Sequence, residues 1–332
     1  MNFENITTSN NKLLWVHFRA MGDVLQAGAD AYNFKQKYPN IHLTILTEPT
    51  YVQLFEEQSW CDAVIAGDKI PFSKYWQTLC KVKQLHFDYL MVPRHQGLRA
   101  LIMGLFGGIS CRIGKSSAQF LYNYHIDEWQ QKYNINLLER EQIVFKPTSC
   151  RPMVYKGADK LVGKKLFAVI GASVEHKRWG VDKWVSFIKQ LSTEGWSIVL
   201  IGSGAVECAI AEQIMQILGS PDNVLNLVGK LKVAELVDVA SICTTCVGND
   251  TGPLHLAALA GVPTVGIADL EVFTAIGLRM KWFKAVTVHG QPTKRINSTK
   301  GRSNEVLNTI TPERVYTALQ ELLNEEKLRN GK

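Results

Sequence analysis

The chain has 332 residues and a formal net charge of +7, and 46% of its residues are hydrophobic. This length provides for two ordinary domains, each with its own core. The composition is typical of a soluble globular protein, and the chain contains no internal repeat or low-complexity tract. A charge of +7 is too modest for a nucleic-acid-binding footprint, but it suits an anionic substrate or membrane face.

The longest apolar stretch, residues 101–109, is too short to span a bilayer. The first residues carry no signal-peptide pattern, so a cytoplasmic protein is predicted. Seven scattered cysteines suit buried thiols in a reducing compartment. Cys243 and Cys246 form the only close pair, and they run into a predicted core strand. A structural role is therefore favoured over a metal or redox role.

The first half of the chain alternates between predicted strands and helices. Continuous apolar runs predict strands at residues 13–18, 41–46, 62–66 and 88–92. Helical periodicity predicts helices at residues 24–35, 49–57, 73–85 and 97–106. No regular element is predicted for residues 107–146. Strict alternation of this kind predicts a parallel, doubly wound sheet.

A polar segment at residues 150–163 predicts a domain boundary, with domains at 1–155 and 156–332. A second alternation follows it. Strands are predicted at 166–170, 196–201, 224–227, 245–247 and 262–267, and helices at 181–191, 205–218, 233–241, 254–260 and 312–323. The predicted fold class is therefore α/β, with two Rossmann-like domains and a cleft between their strand ends.

One stretch in the second domain has the features of an anion site. Gly248-Asn249-Asp250 ends a predicted strand, Thr251 is a suitable N-cap, and Pro253 lies in the first turn of the next helix. The helix then points its N-terminus at the carboxyl edge of the sheet, where its dipole and free N–H groups favour negative charge. The alternative is an ordinary, well-capped crossover helix.

The order D-T-G-x-x-H-x-A-A-L-x-G-x-P-T, from Asp250 to Thr264, resembles the C-terminal signature of the ADP-heptose:lipopolysaccharide heptosyltransferases, glycosyltransferase family 9. The resemblance implies donor-binding roles for Asp250, Thr251, Gly252 and His255. It also implies the GT-B fold, in which two Rossmann-like domains face a central cleft.

The segment LWVHFRAMGDVL, at residues 14–25, resembles the N-terminal signature of the same family. The aspartate at that position of the family is taken as the catalytic base, which implies this role for Asp23. From the residues alone, Asp23 is equally suited to cap the following helix. The match weakens at residues 27–29, where Ala-Gly-Ala replaces the family's usual Pro-containing helix start.

The segment GASVEHKRW, at residues 171–179, follows a strand and resembles the family's G-A-S…K-x-W segment. The resemblance implies that Ser173 and Lys177 hold the donor diphosphate, with Arg178 and Trp179 as supports. Independently of the resemblance, this segment suits phosphate binding, because it places small residues, a hydroxyl and a cation directly after a strand. The alternative is a solvated polar loop.

Gly202-Ser203-Gly204 also follows a strand, but no third glycine completes a dinucleotide-binding fingerprint. The family has a glutamate here that bonds the nucleotide ribose, which implies this role for Glu207. The loop at 228–231 resembles, more loosely, the segment whose backbone faces adenine, and it contributes Leu231.

The resemblance implies an inverting, metal-independent glycosyltransferase that moves heptose from ADP-heptose to the lipopolysaccharide inner core. No D-x-D metal pair lies in a suitable place, so neither metal nor cofactor is expected. Residues 266–270, GIADL, depart from the family's Gly-Pro-Thr loop, so a different nucleotide-sugar is one alternative. A nicotinamide-dependent dehydrogenase is another, although its glycine fingerprint is incomplete.

The implied acceptor is a lipid-anchored Kdo–lipid A, so a peripheral visit to the inner face of the inner membrane is expected, with no nucleic-acid partner. Residues 98–124 combine an apolar stretch with Arg99, Arg112 and Lys115, which suits an interfacial segment. A core helix explains the apolar stretch equally well. Residues 279–304 hold seven basic and no acidic side chains. Such a run is either a solvated face or a surface that contacts the acceptor or the membrane.

Overall fold

The computed structural model describes residues 11–18, 20–67, 72–93, 98–114, 122–132, 142–148, 158–268, 280–288 and 307–330. The chain divides into two compact units, 1–139 and 140–332. Each unit is built on one six-stranded parallel sheet with helices, which confirms the predicted α/β class. The division lies before the boundary expected near residue 155, because the 142–148 segment bonds to the second unit: the Val144 N–H donates to Leu259 O over 2.8 Å.

The sheet of the first unit has the strand order β3-β2-β1-β4-β5-β6, with every pair parallel. Its strands are β1 Lys12–Val16, β2 His42–Thr47, β3 Ala63–Ala66, β4 Tyr89–Val92, β5 Cys111–Gly114 and β6 Tyr124–His125. Its helices are α1 Met21–Lys37, α2 Pro49–Glu56, α3 Phe72–Leu85, α4 Leu98–Phe106 and α5 Ile126–Lys132. Strands β1 to β3 are added towards one edge of the sheet and β4 to β6 towards the other, so the topological switch point lies between β1 and β4.

Both faces of the first sheet are covered, and this explains why its strands are continuous apolar runs. Successive side chains of β1 point to opposite faces. Leu14 and Val16 share a buried core with Leu79 of α3 and Met103 of α4. Trp15 points the other way and packs against Phe34 of α1, with ring centroids 5.9 Å apart.

Two details of the first unit differ from the sequence-based prediction. The region left unassigned contains β5, β6 and α5, which are too short to show a clear period. Helix α1 begins at Met21 and not at Val24, with Ala20 as an N-cap that makes no side-chain cap bond. Asp23 therefore lies inside the first helical turn, and the N-cap role considered for it is wrong.

The apolar stretch at 101–109 belongs mainly to the core. Met103 and Ile109 are buried, whereas Leu105 and Phe106 at the end of α4 are exposed. Arg112 turns back onto this segment and donates from Nη1 to Ile109 O over 2.7 Å. Lys115 lies outside the described residues. Among the helices described, none combines the length and hydropathy that crossing a bilayer requires.

The sheet of the second unit has the parallel order β12-β11-β10-β7-β8-β9, with its switch point between β7 and β10. Its strands are β7 Lys165–Val169, β8 Ser197–Ile201, β9 Val224–Asn226, β10 Thr245–Asn249, β11 Thr264–Ala268 and β12 Phe283–Thr287. Its helices are α6 Val181–Thr193, α7 Ala205–Leu218, α8 Val233–Ser241, α9 Gly252–Leu259 and α10 Pro312–Asn330. Short 3₁₀ turns lie at Ala158–Lys160, Glu175–Lys177 and Leu307–Thr309.

Strand β12 is a further element that the sequence did not predict, because it falls inside the basic run. Lys284 of β12 pairs with Glu321 and Glu325 of α10, so this member of the run has a structural role. Residues 289–304 of the run lie outside the described part of the chain. Cys243 and Cys246 are buried, and burial raises the pKa of Cys243 to about 12, as a structural thiol requires.

Candidate functional site

The residues expected to bind the donor lie on loops that follow three adjacent strands of the second sheet. Strands β10, β7 and β8 are neighbours, and all of them run in the same direction. Their carboxyl ends therefore meet at one edge, with roughly 4.8 Å between neighbouring strands. This edge contains the switch point of the sheet, where open α/β folds bind ligands.

Helix α9 begins directly at this edge. Strand β10 ends at Asn249, Thr251 is the N-cap, and Pro253 lies in the first turn, as predicted. The Thr251 hydroxyl donates to Asn249 O over 3.4 Å and does not cap a helical N–H. The short connection aims the helix N-terminus, with its partial positive charge, along the edge of the sheet.

A buried carboxylate lies beside this helix start. Asp250 Oδ2 accepts a hydrogen bond from Lys177 Nζ at 2.6 Å, and Asp250 Oδ1 accepts one from His255 Nε2 at 3.0 Å. The Asp250 side chain is 2% exposed and that of Lys177 is 30% exposed. Burial alone would raise the pKa of Asp250, but the contacts with His255 and Lys177 outweigh it and lower the pKa below 3.8.

This trio joins three parts of the site. Lys177 ends the 3₁₀ turn of the β7 loop, Asp250 follows β10, and His255 lies on α9. Asp250 therefore holds the Lys177 ammonium close to the α9 N-terminus. An ammonium has three donors and Asp250 uses one of them, so the remaining donors suit an anion at the edge of the sheet.

Two asparagines that the sequence reasoning missed hold the β7 loop in place. The buried Asn249 donates from Nδ2 to Ile170 O at 2.8 Å and accepts from the Trp179 N–H at 3.1 Å. Asn308 accepts from the Gly180 N–H at 2.7 Å. The sequence indicates only that Asn249 belongs to the segment that ends a predicted strand. The partners of both asparagines lie far away in sequence, so no local pattern could reveal these contacts.

Arg178 and Trp179 support the same loop, as the resemblance implies. Arg178 Nε donates to Ala172 O over 2.8 Å, which closes the loop on itself. Trp179 is buried, donates from Nε1 to Ile310 O at 2.8 Å, and packs edge-on against Trp184 with ring centroids 5.1 Å apart. The loop is therefore well ordered by contacts within the protein.

Glu207 lies in the first turn of α7, next to the loop after β8. Its Oε2 accepts from the Ser203 N–H at 2.6 Å. Burial raises the pKa of the Glu207 carboxyl, and the Ser203 N–H and the charge of Arg178 only partly oppose the effect. A half-buried carboxylate with acceptor capacity left at this edge suits paired hydroxyl donors.

Two glycines make room for this carboxylate. A Cβ atom built on Gly171 would lie 2.0 Å from the Glu207 carboxyl, and one built on Gly202 would lie 2.5 Å from it. Any side chain at either position would displace the Glu207 carboxyl. The glycines of the β7 and β8 loops thus allow Glu207 to lie directly against both strand ends.

The remaining candidate residues, three for donor binding and one as base, lie on four separate parts of the fold. Ser173 is exposed on the β7 loop, and Gly252 is the first residue of α9. Leu231 is half-buried after β9, where the Gly229 N–H donates to Gly202 O at 3.0 Å and brings that loop to the β8 loop. Asp23 belongs to the first unit, in the loop-to-helix region that follows β1 at the switch point of that sheet.

Comparison with known proteins gives one family. Residues 116–274 match the model of glycosyltransferase family 9 (heptosyltransferase). Lipooligosaccharide heptosyltransferase 2 of Campylobacter jejuni is 22% identical over 76% of this chain and 80% of its own length. Lipopolysaccharide heptosyltransferase 2 of Salmonella typhimurium is 30% identical over 45% of this chain and 44% of its own.

A solved structure has the same fold. ADP-heptose lipopolysaccharide heptosyltransferase II of E. coli superimposes with a TM-score of 0.74 at 18% identity, covering 95% of this chain and 99% of that one. The fold class expected from the sequence, two Rossmann-like domains of the GT-B type, is thereby confirmed. The family match, the similarity to the Campylobacter and Salmonella enzymes and the shared fold agree, and residues 116–274 are identified as a glycosyltransferase family 9 domain.

Proposed function

We propose that this protein is an inverting heptosyltransferase that transfers heptose from ADP-heptose to the inner core of lipopolysaccharide. The observation that carries the proposal is the charge arrangement at the edge of the second sheet. Lys177 and the α9 N-terminus supply positive charge at β7 and β10, and Glu207 supplies a carboxylate at β8. Neighbouring strand ends thus offer one place for a diphosphate and another for sugar hydroxyls.

Each donor-side residue has a proposed task. Glu207 accepts hydrogen bonds from the ribose hydroxyls, and the loop that ends at Leu231 adjoins the adenine. Ser173, Lys177 and the N–H groups at Thr251 and Gly252 bind the diphosphate. Asp250 and His255 lie beneath them, where Asp250 fixes the position of the Lys177 ammonium.

The chemical step needs a base and a stabilised leaving group. Asp23 removes the proton from the acceptor hydroxyl, and the resulting oxygen attacks the anomeric carbon of the heptose from the face opposite the diphosphate. The anomeric C–O bond breaks, and its electron pair leaves with ADP. Lys177 and the helix dipole stabilise the charge that develops on the diphosphate.

The geometry disfavours a nicotinamide-dependent dehydrogenase. A dinucleotide fold binds its pyrophosphate on the N–H groups of a glycine loop at a helix start. Here the Ser203 N–H of that loop is occupied by the carboxylate of Glu207. A negative side chain in this position would repel a pyrophosphate.

The acceptor belongs to the proposal as well. The similar proteins from Campylobacter and Salmonella are named as lipooligosaccharide or lipopolysaccharide enzymes. We therefore infer an anionic, lipid-anchored Kdo–lipid A or heptosyl-Kdo–lipid A as acceptor. The protein would meet it at the cytoplasmic face of the inner membrane, as a peripheral visitor.

The first test is which nucleotide stabilises the folded protein. ADP should raise the melting temperature of the full chain, because a ligand at 100 times its Kd adds about 2.7 kcal/mol of stability. NAD contains the same adenosine diphosphate but carries a second nucleoside on it, so at the same concentration it should raise the melting temperature less than ADP does. Stabilisation by NAD alone would refute the proposal.

The second test separates the phosphate site from the ribose site. Lys177→Ala should weaken ADP binding roughly 10- to 100-fold, since charge-assisted contacts contribute about 1.5–3 kcal/mol. Adenosine binding should change little in the same calorimetric series. Lys183→Ala, a nearby lysine on α6, serves as the control. An equal loss for both ligands would show that Lys177 only supports its loop.

A further inference from the structure

The net charge of the protein is concentrated in one part of the chain. Residues 69–126 contain eight basic side chains and a single acidic one, Asp88. The other 274 residues contain 29 basic and 29 acidic side chains, so their formal charge cancels. The entire excess of +7 therefore comes from this segment, which includes α3 and α4.

Helices α3 and α4 form one layer on the first sheet. Tyr75 and Leu79 of α3 share a buried core with Met103 of α4. The end of α4 also meets α3, since a Cβ on Gly107 would lie 3.1 Å from Val82 Cγ1. Neither helix contains an aspartate or glutamate, whereas α3 carries the exposed Lys74, Lys81 and Lys83.

The outer surface of this layer also carries exposed apolar side chains. Within the described part of the first unit, every exposed large hydrophobic side chain lies on α3 or α4. Trp76 is 53% exposed and Phe106 is 62% exposed, and Leu85 and Leu105 accompany them. Aromatic and aliphatic side chains standing in water cost free energy, so a partner that buries them is favoured.

The opposite face of the same sheet has the reverse character. Helices α1 and α2, with the two residues that cap α2, carry five acidic and two basic side chains. The acidic ones are Asp23, Asp30, Glu48, Glu56 and Glu57, and all of them except Asp30 are at least partly exposed. The first unit is therefore polarised, with a cationic, apolar face on one side and an acidic face on the other.

We propose that the α3–α4 face docks on the surface of an anionic lipid bilayer. Lysines are attracted to anionic headgroups, while Trp76 and Phe106 enter the boundary between headgroups and acyl chains, where tryptophan is favoured. A nucleic acid would use the lysines but would leave the aliphatic Leu85 and Leu105 without a partner. The inference rests on the proposed function only for its biological purpose, access to a lipid-anchored acceptor.

This orientation also suits the proposed chemistry. A layer lying flat on the bilayer separates the sheet from the lipid by about one helix diameter, roughly 10 Å. The carboxyl edge of the sheet, where Asp23 follows β1, then faces sideways just above the headgroups. Trp76 lies near the start of α3 and hence at the same edge. The acidic α1–α2 face is turned away from the anionic surface.

The test uses the full chain and vesicles without glycolipid, in which phosphatidylglycerol is mixed with phosphatidylcholine. The protein should sediment with the anionic vesicles, and binding should weaken as salt is added. Lys81→Glu/Lys83→Glu should lower the partition coefficient by roughly 30-fold or more, since each cation near the surface contributes about fivefold. Trp76→Ser/Phe106→Ser should lower it as well, and by an amount that salt does not change.

Matched controls lie in the second unit. Lys189→Glu/Lys327→Glu changes the net charge equally on exposed helical lysines, and Ile217→Ser removes an exposed aliphatic side chain. Both should bind vesicles as the wild type does. Brominated lipid should quench the wild-type fluorescence more than that of Trp76→Phe, a variant that keeps an aromatic ring.

Vesicle binding unchanged by both α3–α4 double variants would overturn the proposal. So would equal binding to heparin with no preference for vesicles. A melting curve and ADP affinity like those of the wild type show that each variant is folded. The vesicles contain no acceptor, so vesicle binding is measured independently of catalysis. A protein that binds vesicles but transfers no heptose in a separate assay would count against the proposed function and not against docking.

Discussion

At the scale of single residues, Asp250 is the side chain on which most of the candidate site depends. It is buried and contacts a half-buried lysine and a buried histidine. Removing one partner of a buried ion pair usually costs more than the pair itself contributes, because it leaves an uncompensated charge. Asp250 is therefore predicted to be a positioning residue as well as a source of stability.

We expect Asp250→Asn to lower the free energy of unfolding at pH 7 by about 3 kcal/mol. This is the low end for a buried pair, because Lys177 is partly exposed and water screens its charge. Urea unfolding of the wild type and the variant measures the difference. Asp222→Asn, which removes the surface partner of Lys160, should cause no measurable change.

The difference in unfolding free energy between the wild type and Asp250→Asn should depend on pH in a defined direction. The folded state lowers the pKa of Asp250 below 3.8, so its stabilisation is fully present above that value and is lost as the pH falls through the lowered pKa. The gap between the wild type and Asp250→Asn should thus be constant near neutrality and should shrink below about pH 4. A gap that grows on acidification would contradict the ion-pair explanation.

For Asp23 the structure removes one competing explanation and leaves the proposed base. The residue lies in the first turn of α1, and Ala20 is the N-cap. We expect Asp23→Asn to keep its ADP affinity and to lose turnover by roughly 10²–10⁴-fold, the usual cost of a lost general base. Steady-state rates at saturating donor test this, with Asp127→Asn as control. Turnover within a few-fold of the wild type would leave Asp23 without a catalytic role.

At the scale of elements, the β7 and β8 loops act together through Glu207. Its carboxyl fills the space left by Gly171 and Gly202, so its position is set by two strand ends and not by α7 alone. Gly248 is different, because a Cβ there would lie 2.7 Å from the backbone oxygen of Val169. Crowding is relieved easily at a flexible side-chain end and with difficulty at a strand backbone.

We therefore expect Gly171→Ala to weaken adenosine binding about as much as Glu207→Ala does, with little loss of stability. The added methyl displaces the Glu207 carboxyl from the strand ends. The double variant Gly171→Ala/Glu207→Ala should therefore bind adenosine no more weakly than Glu207→Ala alone. Calorimetry with adenosine measures the non-additivity. Glu212→Ala, an exposed residue of α7, is the control. Fully additive losses would mean that Gly171 and Glu207 act on the ligand separately.

The elements themselves were predictable to different degrees. The long helices and apolar strands around the two switch points were all predicted, because both faces of a parallel sheet are buried and its strands read as unbroken apolar runs. Strands β5, β6 and β12 were missed. Each is short and lies among aromatic or basic residues, and pairing with a neighbouring strand is what makes it a strand.

At the scale of the whole molecule, the candidate donor residues and the candidate base belong to different compact units. Every proposed donor residue lies in 140–332, and that unit has its own tryptophan-rich core. We expect the fragment 140–332 to fold cooperatively and to bind ADP, because all the contacts proposed for ADP are internal to it. It should show no transferase activity, since it lacks Asp23.

Calorimetry with ADP and a thermal melt of the fragment check this expectation. The fragment that carries Lys177→Ala is the matched control, and it should fold equally well but bind ADP more weakly. A folded fragment with no ADP affinity, alongside a full chain that binds ADP, would show that the first unit contributes to the donor site.

The uneven distribution of charge is also a property of the whole molecule, and the sequence contains it in full. Counting residues shows that 69–126 hold the entire excess charge. Only the fold shows that Lys74, Lys81 and Lys83 of this segment are exposed on α3, the helix that also exposes Trp76. The same fold shows that Met103 and Ile109 are core residues, whereas Leu105 and Phe106 at the end of α4 are exposed.

The sequence by itself determined the α/β class, the order of most elements and the loops that carry the candidate residues. These features depend on periodicity, turn residues and motifs, which are properties of neighbours within a few positions. Residue types also indicated the anion-binding character of the β10–α9 connection, because a strand, a turn and a helix start follow one another directly in the chain.

The tertiary structure alone decided which of those residues contact one another. Lys177 meets Asp250, Asn249 holds the β7 loop, and Glu207 fills the space at Gly171. Each of these contacts joins residues on different strands that become neighbours only through the strand order of the sheet. Local patterns carry no information about such pairs, since the contacts arise when strand ends distant in sequence are brought to a single edge.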